Sequence, residues 1–141
     1  MQHVISLYDY TGEALKPWAE AGYTCHAFDI QHDEASLIDR FEGGGSISFH
    51  KADLHDQKNL NAIFYAFADR SVAFGMAFPV CTDMAVSGAA WFKKKAAADP
   101  FFQEAAVSYA IWCDRLFNSL HIPYFIENPV SVLATKWRKP D

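Results

Sequence analysis

The sequence predicts one α/β domain built on a doubly wound, mostly parallel sheet. Three observations carry this: short apolar runs alternate with amphipathic stretches along the whole chain, the runs end in acidic or Gly-containing turns, and no repeat or linker interrupts the alternation. At 141 residues with 51% apolar and 21% charged side chains, the chain is long enough for a single core and has no stretch obliged to stay disordered.

The elements follow in order. Residues 3–8 (HVISLY) form an apolar, β-prone first strand. Thr11-Gly12-Glu13 then opens a helical stretch through Ala14, Leu15, Trp18 and Ala21, closed at Gly22. Residues 23–29 (YTCHAFD) read as a second strand ending in an acid. Gly43-Gly44-Gly45 breaks the next segment, and Ile47 to His50 form a third strand that exits through Ala52-Asp53-Leu54. A helix is expected over 58–68, a fourth strand over 72–77, a long amphipathic helix from about Pro100 to about Leu120, and a fifth strand over 123–126. About five strands in this order make a Rossmann-like sheet with its ligand at the carboxyl ends of the strands. The polar stretch after Ala134 holds no further strand, so the sheet is expected to be incomplete at its C-terminal side, within a single domain spanning 1–141.

Composition narrows the function. No apolar run approaches the roughly 18 to 20 residues that span a bilayer, and the start Met1-Gln2-His3-Val4 lacks a signal-peptide layout, which points to the cytoplasm. Cys25, Cys81 and Cys113 lack CxxC spacing, against a disulfide framework or a cysteine zinc site. Cys25 and Cys113 lie in apolar surroundings and read as small buried hydrophobes. Six histidines show no HxH or HExxH spacing, so no metal is expected. The net charge of −5 gives no global footprint for nucleic acid, although Lys93, Lys94 and Lys95, and the tail Lys136-Trp137-Arg138-Lys139, are local basic clusters suited to phosphates or to a solvated surface.

Two strand ends carry the chemistry. Cys81 follows the fourth strand in Ala77-Phe78-Pro79-Val80-Cys81-Thr82-Asp83, and Glu127-Asn128-Pro129 follows the fifth. A thiol and a carboxyl at neighbouring strand ends suit nucleophilic attack with proton transfer. A Cys-His hydrolase would need a base from elsewhere, and nothing in the sequence singles one out. Asp29, seventeen residues past Gly12 at the end of the second strand, stands where a Rossmann-like fold places an acid toward ribose hydroxyls. Asp53 ends the third strand, with a helix-capping role as its competing reading.

In that order, the loop Tyr8-Asp9-Tyr10-Thr11-Gly12, Asp29, Asp53, Pro79-Val80-Cys81 and Glu127-Asn128 together resemble the S-adenosyl-L-methionine-dependent DNA (cytosine-5) methyltransferase family. The resemblance covers nearly the whole chain and implies the class I methyltransferase version of the fold. It implies cofactor contacts from Tyr8, Thr11, Gly12, Asp29, Asp53 and Pro79, with Asp53 toward the adenine amine. Cys81 would be the nucleophile on carbon 6 of cytosine, Glu127 the acid at ring nitrogen 3, raised by burial, and Asn128 a positioning group. Ser87, in the loop after the cysteine, and Lys93, Lys94 and Lys95 would meet the nucleic acid. Tyr10 stands where the family has its first loop glycine, Val80 where it has a second proline, and Pro129 where it has valine. The family's Arg-rich motif, target-recognition region and closing helix do not fit into 128–141. The expected function is therefore methylation of carbon 5 of cytosine, in DNA or in a cytosine nucleotide, by a compact phage-like, truncated or degenerate form. The competing expectation is a non-catalytic binding module of phage or mobile-element origin, with surface left by absent strands favouring a homo-oligomer.

Overall fold

The computed structural model describes residues 1–79 and 102–127. Apolar alternation in the first strand decides the architecture. In β1 (His3–Leu7), Ile5 and Leu7 enter one core cluster while Val4 enters the other, so the strand must be covered on both sides. A 3-10 turn (Glu13–Leu15) and the short helix α1 (Lys16–Glu20) cover the Val4 face, where Leu15 and Ala19 pack on Cys25, Ala27, Ile47 and Met76. Helices α2 (Gln57–Phe67) and α3 (Phe102–Ser119) cover the other face through Leu60, Ile63, Phe67, Cys113, Leu116 and Phe117. Asp56 caps α2 by accepting Lys58 N–H at 3.0 Å.

The remaining strands are β2 (Thr24–Asp29), β3 (Leu37–Arg40), β4 (Ser46–Lys51), β5 (Val72–Ala77) and β6 (Tyr124–Ile126), in the sheet order β3-β4-β2-β1-β5-β6. All neighbours pair in parallel except β3 with β4. The fold is therefore Rossmann-like, with the order reversing between β1 and β5 and ligand space expected at their carboxyl ends. The expected five strands are corrected to six among the described residues. The addition, β3, is an antiparallel edge strand joined to β4 by the glycine turn, where Phe41 N–H donates to Gly45 O at 3.0 Å. The helix expected from Thr11 to Gly22 is likewise shorter, because Gly12 is left-handed (φ 72°) and the chain enters α1 through Pro17.

Close packing fixes the switch region. Gly75 of β5 lies under Phe117 of α3, and a Cβ there would stand 2.5 Å from Phe117 Cε1. Asn118 donates to the Tyr124 hydroxyl at 3.2 Å, and that hydroxyl donates in turn to Asp114, tying α3 to β6.

Three histidines form a chain across the α2 face. His3 Nδ1 meets His26 Nε2 at 3.0 Å, and His26 Nδ1 meets His50 Nε2 at 3.1 Å, linking β1, β2 and β4. The edge of Phe67 packs against both His3 and His26. Burial, then the neighbouring His50, His3 and Arg70, push the His26 pKa down to about 3. His3 and His50 are lowered as well, each mainly by burial. Among the described residues no helix is long and apolar enough to cross a membrane, and no three His, Cys, Asp or Glu side chains are grouped to hold a metal ion.

Candidate functional site

The parallel strands β1, β2, β4 and β5 end on one side, and their exits are stitched together. Asp9 N–H donates to Phe28 O (3.2 Å), Ala52 N–H to Asp29 O (3.2 Å) and Phe78 N–H to Leu7 O (3.0 Å). Between these exits lies a cleft of about 390 Å³ lined by Tyr8, Tyr10, Asp29 to Gln31, Ala52 to His55 and Phe78. That volume lies within the roughly 300–1,000 Å³ of small-molecule sites.

Of the sequence-selected residues, Tyr8, Asp29 and Asp53 come together in this cleft. Asp29 is buried, and its Oδ1 accepts Gln31 N–H at 2.8 Å. Among the described residues its Oδ2 has no protein partner, which leaves acceptor capacity for a hydroxyl. Asp53 is exposed; its Oδ1 accepts His55 N–H at 3.0 Å, and its carbonyl accepts Asn59 Nδ2–H at 2.8 Å. Asp56 holds the cap of α2, so Asp53 is a turn residue with one oxygen to spare. Tyr8 adopts φ 57°, a left-handed backbone rare for a residue with a side chain. Its hydroxyl is buried without a partner among the described residues, and burial holds its pKa far above the ordinary phenol range.

The other cofactor-side residues shape the loop from behind. Gly12 is buried, and a Cβ on it would lie 2.9 Å from Phe49 Cε1. Thr11 Oγ1 accepts Glu13 N–H at 3.3 Å and lines an adjoining cavity with Tyr10 and His32. Pro79 is fully buried and does not line the cleft.

On the catalytic side, Glu127 directly follows β6, the neighbour of β5, its N–H donating to Ala77 O at 2.9 Å. The burial expected for Glu127 is corrected: its side chain is exposed, at the end of a three-residue strand that is the sheet's edge among the described residues. Cys81, Asn128, Ser87, Lys93, Lys94 and Lys95 lie outside the described residues. Cys25 and Cys113 are buried thiols pushed up to about 12 by burial, which suits packing and not attack.

Sequence reading missed several residues in and beneath the cleft. Asp9 is buried, accepting Ser6 Oγ–H at 2.7 Å and Gly12 N–H at 2.8 Å, and so closes the loop beneath Tyr10. Its signal was an Asp three residues before a Gly, the pattern of a side chain bonding a following backbone N–H. Tyr10, Ile30, His55 and Phe78 supply the aromatic and apolar walls, with His55 stacked on Tyr109 at 3.7 Å between ring centroids. An apolar slot flanked by two carboxylates at strand ends can take a planar base and a ribose.

No protein-family model matches the chain, and no curated protein matches it. Among solved structures, a short chain dehydrogenase family protein from Francisella tularensis subsp. tularensis shares the fold, with a TM-score of 0.50 and 15% identity over 96% of this chain. The chain spans 57% of that protein's length. At this identity the likeness concerns the fold alone.

Proposed function

We propose that the chain is a methyltransferase-like domain of the cytosine-carbon-5 type, with S-adenosyl-L-methionine as its cofactor. The observation that carries this reading is the meeting of Tyr8, Asp29 and Asp53, selected from sequence for an adenosyl site, in one cleft at the sheet's switch point. Asp29 would accept from ribose hydroxyls, Asp53 from the adenine amine, and Phe78 and Ile30 would flank the base. When bound, the cofactor supplies an electrophilic methyl group.

The chain's own residues do the rest. Cys81 comes four residues after the end of β5 in the sequence, and Glu127 directly follows β6, the parallel neighbour of β5. The Cys81 thiolate adds to carbon 6 of the cytosine while Glu127 provides a proton at nitrogen 3. Electron density then moves to carbon 5, which becomes the nucleophile. Asn128 positions the base, and Ser87 with Lys93, Lys94 and Lys95 contacts DNA phosphates.

Calorimetric titration with S-adenosyl-L-methionine and S-adenosylhomocysteine tests the cofactor half. Saturable binding lost in Asp29→Ala is expected, and a folded protein that binds neither compound refutes it. Cys81→Ser is expected to abolish methyl transfer to cytosine while preserving cofactor binding; a fully active variant rules out the assigned chemistry.

The exposure of Glu127 favours a second reading, a non-catalytic module of phage or mobile-element origin that keeps the cleft for ligand or partner binding. Saturable cofactor binding together with no turnover on DNA or cytosine nucleotides would select it.

A further inference from the structure

His32 is buried three residues past Asp29, and both of its ring nitrogens face backbone carbonyls. Nε2 lies 2.9 Å from Tyr10 O and Nδ1 lies 3.0 Å from His50 O. A carbonyl can only accept, and a neutral imidazole carries one N–H, so only the doubly protonated ring satisfies both contacts. The ring stacks on Tyr10 (5.5 Å between centroids) and meets the edge of Phe49 (5.3 Å), the side chain that also covers Gly12. His32 N–H donates to Asp29 O at 3.3 Å. The imidazole therefore touches the β1 loop and the end of β4, and the His32 backbone holds the Asp29 corner, three of the segments that bound the cleft.

We propose that His32 is a positioning residue that, as an imidazolium, ties the Tyr10 loop to the end of β4, so that ligand binding in the cleft weakens when the ring loses a proton. The brace stands on geometry alone; its effect on ligand rests on the adenosyl reading of the cleft. Loss of one proton leaves a nitrogen lone pair facing a carbonyl oxygen at about 3 Å, a repulsive pairing that must open. His50 is held in the β2–β4 ladder, whereas Tyr10 lies in the loop and is 55% exposed, so the Tyr10 side gives way.

Tyr10 stacks on the ring from the β1 loop, His50 meets it through its carbonyl from β4, and Asp33, after β2, and Asp39 of β3 line the adjoining cavity with it. His50 is itself held low, first by burial and then by positive charge at His32, so it does not compete for the proton.

Imidazole nitrogen-15 spectra of the ligand-free full chain at about pH 6 test the brace directly. Two protonated nitrogens on His32 are expected, and a singly protonated ring at that pH overturns the proposal. Calorimetric titration with S-adenosylhomocysteine from about pH 6 to about pH 8.5 should show wild-type affinity falling about tenfold, the scale of one hydrogen bond to a charged group. His32→Gln, which donates to one carbonyl at a time, should bind weakly throughout with a flat profile; a variant profile parallel to the wild type overturns the proposal. Should S-adenosylhomocysteine fail to bind at any pH while the ring is doubly protonated, the adenosyl reading falls and the brace is judged by the exchange protection of Gly12 N–H. That protection, corrected for intrinsic rate, must drop with rising pH in the wild type, and constant protection overturns the brace.

Discussion

Mild acid should destabilise this fold through His26, and the size of the effect follows from its place in the histidine chain. Its folded pKa lies near 3 against an ordinary value of 6.5, so above about pH 6.5 the ring is neutral in both states and its contribution is intact. As the pH falls below that point the unfolded chain takes up a proton that the folded chain refuses, and stability drops until the pH reaches the folded value. Between about pH 6 and about pH 4.5 the loss from this one residue is about 2 kcal/mol, growing toward the limiting slope of about 1.4 kcal/mol per pH unit for one proton. The figure hardly depends on the exact folded value, because any value below about 4 leaves the folded ring neutral across that interval. His3 and His50, also lowered, add in the same direction. Urea unfolding followed by circular dichroism at a series of pH values measures the slope. His26→Gln keeps a donor and an acceptor for its two neighbours but does not titrate, so its slope should be shallower by up to one proton. A wild-type midpoint unchanged between about pH 6 and about pH 4.5, or a variant as acid-sensitive as the wild type, would refute the reasoning.

Substitutions at three positions probe the switch region by the same unfolding assay. Gly12→Ala combines a left-handed backbone with a 2.9 Å approach to Phe49 and should cost at least about 1–2 kcal/mol, with weaker ligand binding. Asp9→Ala strands the Ser6 hydroxyl and the Gly12 N–H and should cost about 1–3 kcal/mol, whereas Asp9→Asn, which can still accept from Gly12, should cost less. Gly75→Ala drives a methyl into the Phe117 ring and should cost about 1–3 kcal/mol, read as a lower urea midpoint at unchanged slope.

The parallel core was legible because its strands are buried on both faces and therefore read as apolar runs: residues 3–7, 24–29, 46–51 and 72–77 all fall within or close to the expected segments. Strand β3 escaped for the opposite reason. All four of its residues are exposed, and Leu37-Ile38-Asp39-Arg40 has no period-two pattern; its structure comes from pairing with β4 across a glycine turn. At the site, Asp29 and Asp53 were legible because strand ends have a sequence signature. The histidine chain was not, since His3, His26 and His50 meet only through the register of three strands, and local spacing carries no trace of that. Glu127 was expected to be buried because its strand is apolar; position at the edge of the sheet among the described residues, a property of strand order, overrode the local pattern.

The placement of β1 between β2 and β5 also governs the order in which the chain assembles. The β3–β4 hairpin closes over a five-residue turn, from Phe41 to Gly45, and can form early, but His3 must wait for Val72 before β1 is flanked on both sides. Loop closure of that length comes before the contacts that reward it, so folding of the core is slow relative to the hairpin. During synthesis the first strand leaves the ribosome long before its second neighbour, and its Ile5 and Leu7 side chains lack the cover of α2 and α3 in the interval.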